Sequence, residues 1–145
     1  MKVKDCMCDE VCCAMPNSTV QDCATMMCNK HVGCIPVCDD SQNVVGLVTD
    51  RDIILRCVAC SRDPKTTPIS DIMTCNPCCC TPDVDITEAE NLMSQNQVKR
   101  IPVVENNRIV GILTLGDLAS NRQVNDQEVT NCLNNICGCN DKNAE

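Results

Sequence analysis

Two seven-residue segments carry the same reactive side chains at the same spacing. The first runs from Gly46 to Asp52 and the second from Gly111 to Asp117, and both read Gly-x-x-Thr-x-x-Asp. The Thr–Asp spacing is that of a capping box, in which both side chains accept N–H groups at a helix start. The same groups can serve a ligand, because a Thr hydroxyl donates to phosphate, an ionised Asp accepts two ribose hydroxyls, and a helix N-terminus favours anions. The spacing alone leaves both interpretations open.

An internal repeat contains these segments. A shift of 66 residues, reduced to 65 after a one-residue gap, aligns identical residues in order. We predict a first repeat at residues 1–60, a proline-punctuated linker at 61–68, a second repeat at 69–122 and a tail at 123–145. A short helix is expected in the tail from about Asp126 to Ile136. The aligned pairs include Asp5/Asp71, Met7/Met73, Pro16/Pro82, Ile35/Ile101, Pro36/Pro102, Gly46/Gly111, Thr49/Thr114 and Asp52/Asp117.

Each repeat is predicted to have the order β-α-β-β-α. An extended segment (11–13, 78–80) precedes a proline turn and an amphipathic helix, which opens at a capping box formed by Thr19 with Asp22 or by Asp85 with Glu88. Two short strands follow, and a second helix begins at Thr49 or Thr114; in the first copy we expect Ile53, Ile54 and Cys57 to form its apolar face. The predicted strands are 34–38, 44–48, 100–104 and 109–113.

Composition excludes several classes of function. The chain has 145 residues, a net charge of −8 and no Phe, Trp or Tyr, which argues against nucleic-acid binding through basic patches or aromatic stacking. No apolar run approaches a membrane span of about 20 residues. The sequence begins without an apolar signal stretch, so we expect a cytoplasmic protein.

The sequence does not predict an enzyme. Ser–His–Asp or Cys–His catalysis would need His31, the only histidine, which ends an amphipathic helix and has no evident catalytic partner. No glycine-rich phosphate loop and no metallohydrolase motif occurs.

Cysteine is unusually abundant, with 17 residues. Many of them align with aliphatic residues in the other repeat, for example Cys6 with Ile72 and Cys38 with Val104, so we interpret most as small core hydrophobes. Metal binding and redox chemistry are the alternatives, suggested by Cys57-x-x-Cys60 and Cys75-x-x-Cys78. No metal site is predicted outright, and the tail cysteines Cys132, Cys137 and Cys139 are its candidates.

Taken together, these motifs resemble a tandem pair of CBS domains, the regulatory repeat named after cystathionine β-synthase. The segments that fit are Val3–Met7 and Ile69–Met73, the two Ile-Pro-Val strands, and both Gly-x-x-Thr-x-x-Asp motifs. The resemblance covers residues 1–122. It implies an α/β (α+β) fold in which two pseudo-twofold-related β-α-β-β-α repeats pack sheet to sheet, followed here by the short C-terminal helix.

The resemblance also implies a binding site for adenine nucleotides or adenosyl compounds in clefts between the repeats. Asp52 and Asp117 would hold the ribose hydroxyls, and Thr49 and Thr114 would contact phosphate. Basic residues beside the central strand and the capped helix, here Lys99, Arg100 and Arg51, can reach phosphate in similar domains. Adenine would contact side chains and backbone at Cys12, Cys13, Ile35, Pro36, Cys78, Cys79, Ile101 and Pro102.

We therefore expect a stand-alone regulatory module that senses AMP, ADP, ATP or S-adenosylmethionine and signals by a change of conformation or assembly. It would need no cofactor, form a homodimer, and act on an unidentified protein partner in trans. Met26, Met27 and Met93 could add apolar surface to a dimer, although we favour core positions for them. The alternatives are a cysteine-based metal or redox protein on the same scaffold and an oligomerisation module without a ligand.

Overall fold

The structure, a computed structural model, describes residues 1–121 and 124–143, with side chains as far as residue 137. In the first half, helix α1 (Val20–Lys30) precedes strands β1 (Cys34–Cys38) and β2 (Val44–Thr49). Helix α2 (Asp50–Ile53) continues into a π-helical turn, Ile54–Val58, and a short strand β3 (Thr74–Cys75) follows. The order of helix, two strands and helix agrees with the prediction from the sequence, whereas β3 was not predicted.

The second half repeats this order and adds a tail helix. It comprises α3 (Ile86–Asn96), β4 (Arg100–Glu105), β5 (Arg108–Thr114), α4 (Leu115–Ser120) and α5 (Asp126–Asn143). Helix α5 begins where the sequence predicts but extends seven residues beyond Ile136. Gly138 does not end it, because a single glycine costs a helix only about 1 kcal/mol.

The chain forms two compact units. The α1 unit contains residues 11–77 and 106–109, and the α5 unit contains residues 1–10, 78–105 and 110–145. In the α1 unit β1, β2 and β3 form an antiparallel sheet in that order, with Ile35 opposite Val48 and Leu47 opposite Thr74. In the α5 unit β4 pairs with β5, and Cys8 adds a bridge to Ile112. The predicted class of mixed helices and small sheets is confirmed.

The extended segments before each proline turn pair in parallel with the Ile-Pro-Val strands. Ala14 receives a hydrogen bond from the N–H of Cys38 and donates its own N–H to Pro36, both at 2.9 Å. Cys80 makes the equivalent bonds with Val104 and Pro102. In the first copy the residue that pairs, Ala14, therefore lies one position beyond the predicted segment 11–13.

The opening segment of each repeat packs in the unit that contains the ligand motif of the other repeat. Val3 belongs to the core of the α5 unit, where its N–H donates to the carbonyl of Val84 at 2.9 Å. Ile69, the equivalent residue, belongs to the core of the α1 unit and donates to Ser18 at 2.7 Å. The compact units therefore do not coincide with the sequence repeats.

Methionine and cysteine fill both cores; for cysteine the alignment with aliphatic residues predicts this. Met27 and Cys23 are buried in the α1 unit, and Met93 and Cys80 are buried in the α5 unit. Met27 and Met93 therefore cannot contribute dimer surface, while Met26 is half-buried. Ile54 is exposed, so its predicted place on a buried apolar face is wrong; the π-helical turn directs it outward together with Leu55 and Val58.

One of the two predicted helix caps differs from the prediction. Thr19 and Asp22 form the reciprocal capping box at the start of α1. At α3, however, the Asp85 carboxylate accepts the N–H of Thr87 at 3.1 Å, one residue earlier than a capping box requires. The helix is capped by Asp85 alone, and Glu88 is exposed.

Helix α5 packs on α3 and covers a buried carboxyl group. The side chain of Glu90 is 5 % exposed, and its Oε1 atom has no hydrogen-bond partner in the described part of the structure. The Cys132 thiol on α5 donates to the Glu90 backbone carbonyl at 3.4 Å, which does not satisfy the carboxyl group. Burial raises the pKa of Glu90, and the nearby Glu128 and Asp85 carboxylates raise it further.

We predict that Glu90→Gln increases stability at neutral pH. Because the folded-state pKa is raised, Glu90 favours folding fully below its ordinary value of 4.5, and that contribution is lost as pH rises through the folded-state pKa. Urea unfolding should show stability falling from pH 4.5 to neutrality in the parent, a weaker fall in Glu90→Gln, and a gain of about 1 kcal/mol at neutral pH. Glu88→Gln, an exposed change on the same helix, is the control. Identical pH profiles for the parent and Glu90→Gln would contradict this account.

Candidate ligand site

Both Thr–Asp motifs form complete capping boxes. In the α1 unit the Thr49 N–H donates to Oδ2 of Asp52 at 3.0 Å, and the Asp52 N–H donates to the Thr49 hydroxyl at 3.1 Å. Thr114 and Asp117 make the same two bonds at 2.9 and 3.0 Å in the α5 unit. The cap engages Oδ2 of each aspartate. It leaves Oδ1, and the second lone pair of Oδ2, as acceptors for another group.

Backbone bonds fix each capped helix to the residue before the central strand. The Asp50 N–H donates to the carbonyl of Gly33 at 3.0 Å, and the Leu115 N–H donates to the carbonyl of Lys99 at 2.9 Å. Lys99 therefore lies beside the Thr114–Asp117 cap. Lys99 is exposed and Arg100 is half-buried, whereas the first repeat has Gly33 and Cys34 at these positions.

The two helix starts differ in what they offer an anion. Helix α4 has six residues, so its aligned peptide dipoles are few, whereas α2 runs directly into the π-helical turn Ile54–Val58. In α2 the N–H of Arg51 already donates to the carboxylate of Asp50 at 2.9 Å. At the equivalent position in α4, Gly116 follows Leu115, whose side chain has no carboxylate to accept the Gly116 N–H. The two caps therefore differ in charge although their geometry is the same.

A further pair of residues near the caps was not predicted from the sequence. Nε of Arg56 lies 4.0 Å from Oδ1 of Asp52, and its Nη1 donates to the carbonyl of Ile72 at 3.1 Å. The repeat places Asn121 at the position of Arg56, and its amide donates to the Cys6 thiol at 3.2 Å. Burial raises the pKa of Cys6, the hydrogen bond from Asn121 lowers it, and the Asp5 and Asp117 carboxylates raise it further. The sequence does contain a signal for the contact between Asp52 and Arg56, because their four-residue spacing places both side chains on one face of a helix.

The residues expected to contact adenine have different exposures. Cys12 and Cys13 are exposed, Cys78 and Cys79 are half-buried, and both Ile-Pro pairs are buried. The side chains of Ile35 and Ile101 belong to the hydrophobic cores, so a ligand could meet these two residues only through their backbone. Arg51, at the first turn of α2, is exposed.

The glycine of each motif is required by the opening segment that lies on it. A Cβ added to Gly111 would lie 2.6 Å from Sδ of Met7 and 2.9 Å from the carbonyl oxygen of Cys8. At Gly46 it would collide with Sδ of Met73 and lie 3.0 Å from the carbonyl oxygen of Thr74. The first position of both motifs is therefore glycine because the opening segment approaches the strand backbone closely there.

The described side chains contain no cluster of three or more His, Cys, Asp or Glu residues that could hold a metal ion. Cys132 is buried and Cys137 is half-buried on α5. The side chain of Cys139, the third candidate, lies outside the described residues. A metal site in the tail stays a prediction.

The sequence repeat, with a Gly-x-x-Thr-x-x-Asp cap in each copy, agrees with the comparison with known proteins. The model of the CBS domain matches this chain twice, at residues 3–58 and 69–123. The chain belongs to the CBS domain family. CBS domain-containing protein YhcV of Bacillus subtilis is 42 % identical over 135 residues, which cover 92 % of this chain and 94 % of that protein.

Two solved CBS structures are informative about possible ligands. Hypoxic Response Protein I, solved with two coordinated zinc ions, has a TM-score of 0.76 and 31 % identity, covering 82 % of this chain and 97 % of that chain. The CBS domain pair of protein MJ0100, in complex with 5′-methylthioadenosine and S-adenosyl-L-methionine, has a TM-score of 0.75 and 26 % identity, with the same coverage of 82 % and 97 %. Among the described helices of this CBS protein, none has the length and apolar composition to cross a bilayer.

We predict that Gly46→Ala and Gly111→Ala each lower the free energy of unfolding by about 1–3 kcal/mol, because the new methyl group displaces a methionine and a backbone carbonyl. Gly116→Ala is the matched control, since its Cβ would meet only the Thr114 hydroxyl at 3.6 Å. This control should be neutral or slightly stabilising. Urea denaturation followed by circular dichroism measures all three; equal stability of the three variants would refute the close approach.

Proposed function

We propose that this CBS pair binds an adenine nucleotide or adenosyl compound and transmits its presence to a protein partner. The observation that carries the proposal is the duplicated cap, which holds one carboxylate in a fixed orientation in each unit. A CBS pair of similar structure is known in complex with methylthioadenosine and S-adenosylmethionine. No catalytic step is proposed, because the motif residues bind and orient rather than react.

The ribose would be held by Asp52 and Asp117. A carboxylate oriented by its own cap needs no reorganisation to accept two adjacent hydroxyls, and hydrogen bonds to a charged acceptor are strong. The Asp52 side chain is only 13 % exposed and has Arg56 beside Oδ1. A ligand at Asp52 would therefore compete with Arg56, whereas Asn121 brings no positive charge to Asp117.

Phosphate groups would bind preferentially near the second motif. Lys99 and Arg100 stand beside the Thr114 cap, where they can contribute two positive charges and a bidentate guanidinium group. Beside the Thr49 cap the chain has Gly33 and Cys34 instead, and the positive charges of Arg51 and Arg56 are offset by Asp50 and Asp52. We infer that the second motif favours AMP, ADP or ATP and the first favours ligands with less negative charge, such as S-adenosylmethionine.

Signalling would follow from a ligand that binds one arrangement of the protein better than another and so shifts their populations. We further propose that the assembly is a homodimer formed through the π-helical turn after α2. Ile54, Leu55 and Val58 are all exposed there, with Val58 at 63 %. Contiguous exposed apolar side chains are characteristic of interfaces. Arg51 and Arg56 flank them with Asp50, which allows two copies of this acidic chain to meet without net repulsion.

We predict that Asp117→Asn weakens AMP and ATP binding by roughly 10- to 100-fold, the value of a hydrogen bond to a charged group, and that Asp52→Asn weakens it less. Asparagine retains an oxygen for the cap, so the fold is preserved. Isothermal titration calorimetry on reduced, ligand-free protein measures the affinities. Lys99→Ala with Arg100→Ala should reduce ATP affinity more than S-adenosylmethionine affinity.

Lys65→Ala is the control, because it removes an exposed positive charge in the linker, where no ligand contact is proposed. If both aspartate variants bind as tightly as the parent, the ribose assignment is wrong. If the parent binds none of AMP, ADP, ATP and S-adenosylmethionine, the oligomerisation module without a ligand becomes the better account.

We predict that Leu55→Glu with Val58→Glu converts a dimer into a monomer in size-exclusion chromatography with light scattering. The four buried carboxylates of a doubly substituted dimer would be unpaired and costly. Leu133→Glu, at an exposed apolar residue on α5, is the control and should remain dimeric. A monomeric parent, or a double variant that stays dimeric, would place the interface elsewhere or remove it.

A further inference from the structure

Arg56 joins two parts of the α1 unit that are distant in the sequence. Its Nη1 atom donates to the backbone carbonyls of Ile72 at 3.1 Å and Met73 at 3.4 Å, and its Nε atom lies 4.0 Å from Oδ1 of Asp52. The two carbonyls belong to the opening segment of the second repeat, whereas Asp52 belongs to the motif of the first repeat. One guanidinium group therefore contacts both the carboxylate proposed to hold ribose and the segment that completes the sheet.

The segment that Arg56 contacts is the last part of the α1 unit before the chain passes to the α5 unit. Its strand β3 pairs with β2, with Thr74 opposite Leu47, so the segment adds the third strand of the sheet. In this stretch of chain the α1 unit ends at residue 77, and the α5 unit continues from residue 78. A change in how firmly the segment is held would therefore act directly beside the covalent connection to the other unit.

The two contacts of Arg56 differ in kind. Its bonds to the carbonyls are within hydrogen-bond distance, whereas the 4.0 Å separation from Asp52 is that of an ion pair without a hydrogen bond. The Asp52 side chain is 13 % exposed, so solvent screens the attraction only in part. The carboxylate therefore orients the guanidinium group, and the carbonyls receive its hydrogen bonds.

We propose that Arg56 is a positioning residue that couples the Asp52 carboxylate to the attachment of the opening segment of the second repeat. In the ligand-free protein the carboxylate aligns the guanidinium group so that Nη1 reaches both carbonyls. Ribose hydroxyls that donate to Oδ1 of Asp52 would weaken this alignment and loosen residues 69–76. That last step rests on the proposed function, whereas the coupling between Asp52 and Arg56 needs no ligand.

The second repeat connects the same two positions without a charge. Asn121 takes the place of Arg56, and its amide donates at 3.2 Å to the thiol of Cys6, the residue that aligns with Ile72. Because an amide is neutral, Asp117 has no opposite charge to attract at this position. Coupling by charge is therefore specific to the first motif, and the second motif supplies the control.

The test measures hydrogen exchange of residues 69–76 by mass spectrometry in the ligand-free full chain at neutral pH. Arg56→Gln removes the charge-assisted bonds to the carbonyls and should speed exchange about tenfold. Asp52→Asn keeps an oxygen for the cap but removes the charge that orients Arg56, so it should speed exchange by roughly two- to fivefold. The double variant should exchange no faster than Arg56→Gln alone, because both substitutions break the same link.

Asp117→Asn is the matched control, because it makes the same change in the other cap and should leave exchange of residues 69–76 as in the parent. Exchange is expressed relative to that of helix α1, so that a general loss of stability in the unit does not count as an effect on the segment. Parent-like exchange in Asp52→Asn would overturn the proposal, because Arg56 would then hold the carbonyls without the carboxylate. Effects of the two substitutions that multiply in full would overturn it as well.

A second measurement tests the step that rests on the proposed function. S-adenosylmethionine is added to the Asp117→Asn protein, in which binding at the second motif is weakened. Exchange of residues 69–76 should become roughly two- to fivefold faster, as in Asp52→Asn, and should not respond once Arg56→Gln is added. Binding seen by calorimetry without a change in exchange would refute the ligand-driven step. If the parent binds no ligand, the proposed function fails, and the ligand-free comparison still decides the coupling.

Discussion

Each unit is closed by an opening segment that approaches a strand so closely that only glycine fits beneath it. Met7 lies over Gly111, and Met73 lies over Gly46. The N–H groups of Val3 and Ile69 attach the segments by hydrogen bonds to the carbonyls of Val84 and Ser18. Val3 and Ile69 are fully buried, so each segment supplies core as well as a sheet edge. A repeat cut at the linker would keep its own opening segment but lose the one its strands require. The two sequence repeats are therefore interdependent units of folding.

The Thr–Asp cap has two compatible roles because a carboxylate has more acceptor sites than a cap consumes. One oxygen of Asp52 or Asp117 orients the helix start, and the remaining lone pairs point to whatever approaches from outside. Stability and binding are then coupled at one side chain. A residue that fixes the backbone is also held in place by it, which is the pre-organisation that a binding site needs.

The order of elements and both caps could be predicted because they depend on local spacing. Thr49 and Asp52 are three residues apart, and the Ile-Pro-Val strands are short apolar runs between polar turns. Contacts distant in sequence could not be predicted this way. The exchange of opening segments and the Arg56 contact with Ile72 join residues that no local period connects. The prediction for Ile54 was wrong for a related reason. The π-helical turn changes the helix face on which a period of 3.6 residues would place this side chain.

The repeat keeps the fold constant and varies the chemistry at equivalent positions. Lys99 and Arg100 replace Gly33 and Cys34, Leu115 replaces Asp50, and Asn121 replaces Arg56, so positive charge accumulates near the second cap and is neutralised near the first. Cys38, in contrast, occupies in the first repeat the position that Val104 has in the second. Duplication lets one copy retain the packing while the other changes a charge or a sulfur. Differences between aligned positions therefore indicate how the two proposed sites differ, whereas the shared Thr and Asp residues maintain both the caps and the proposed ribose contacts.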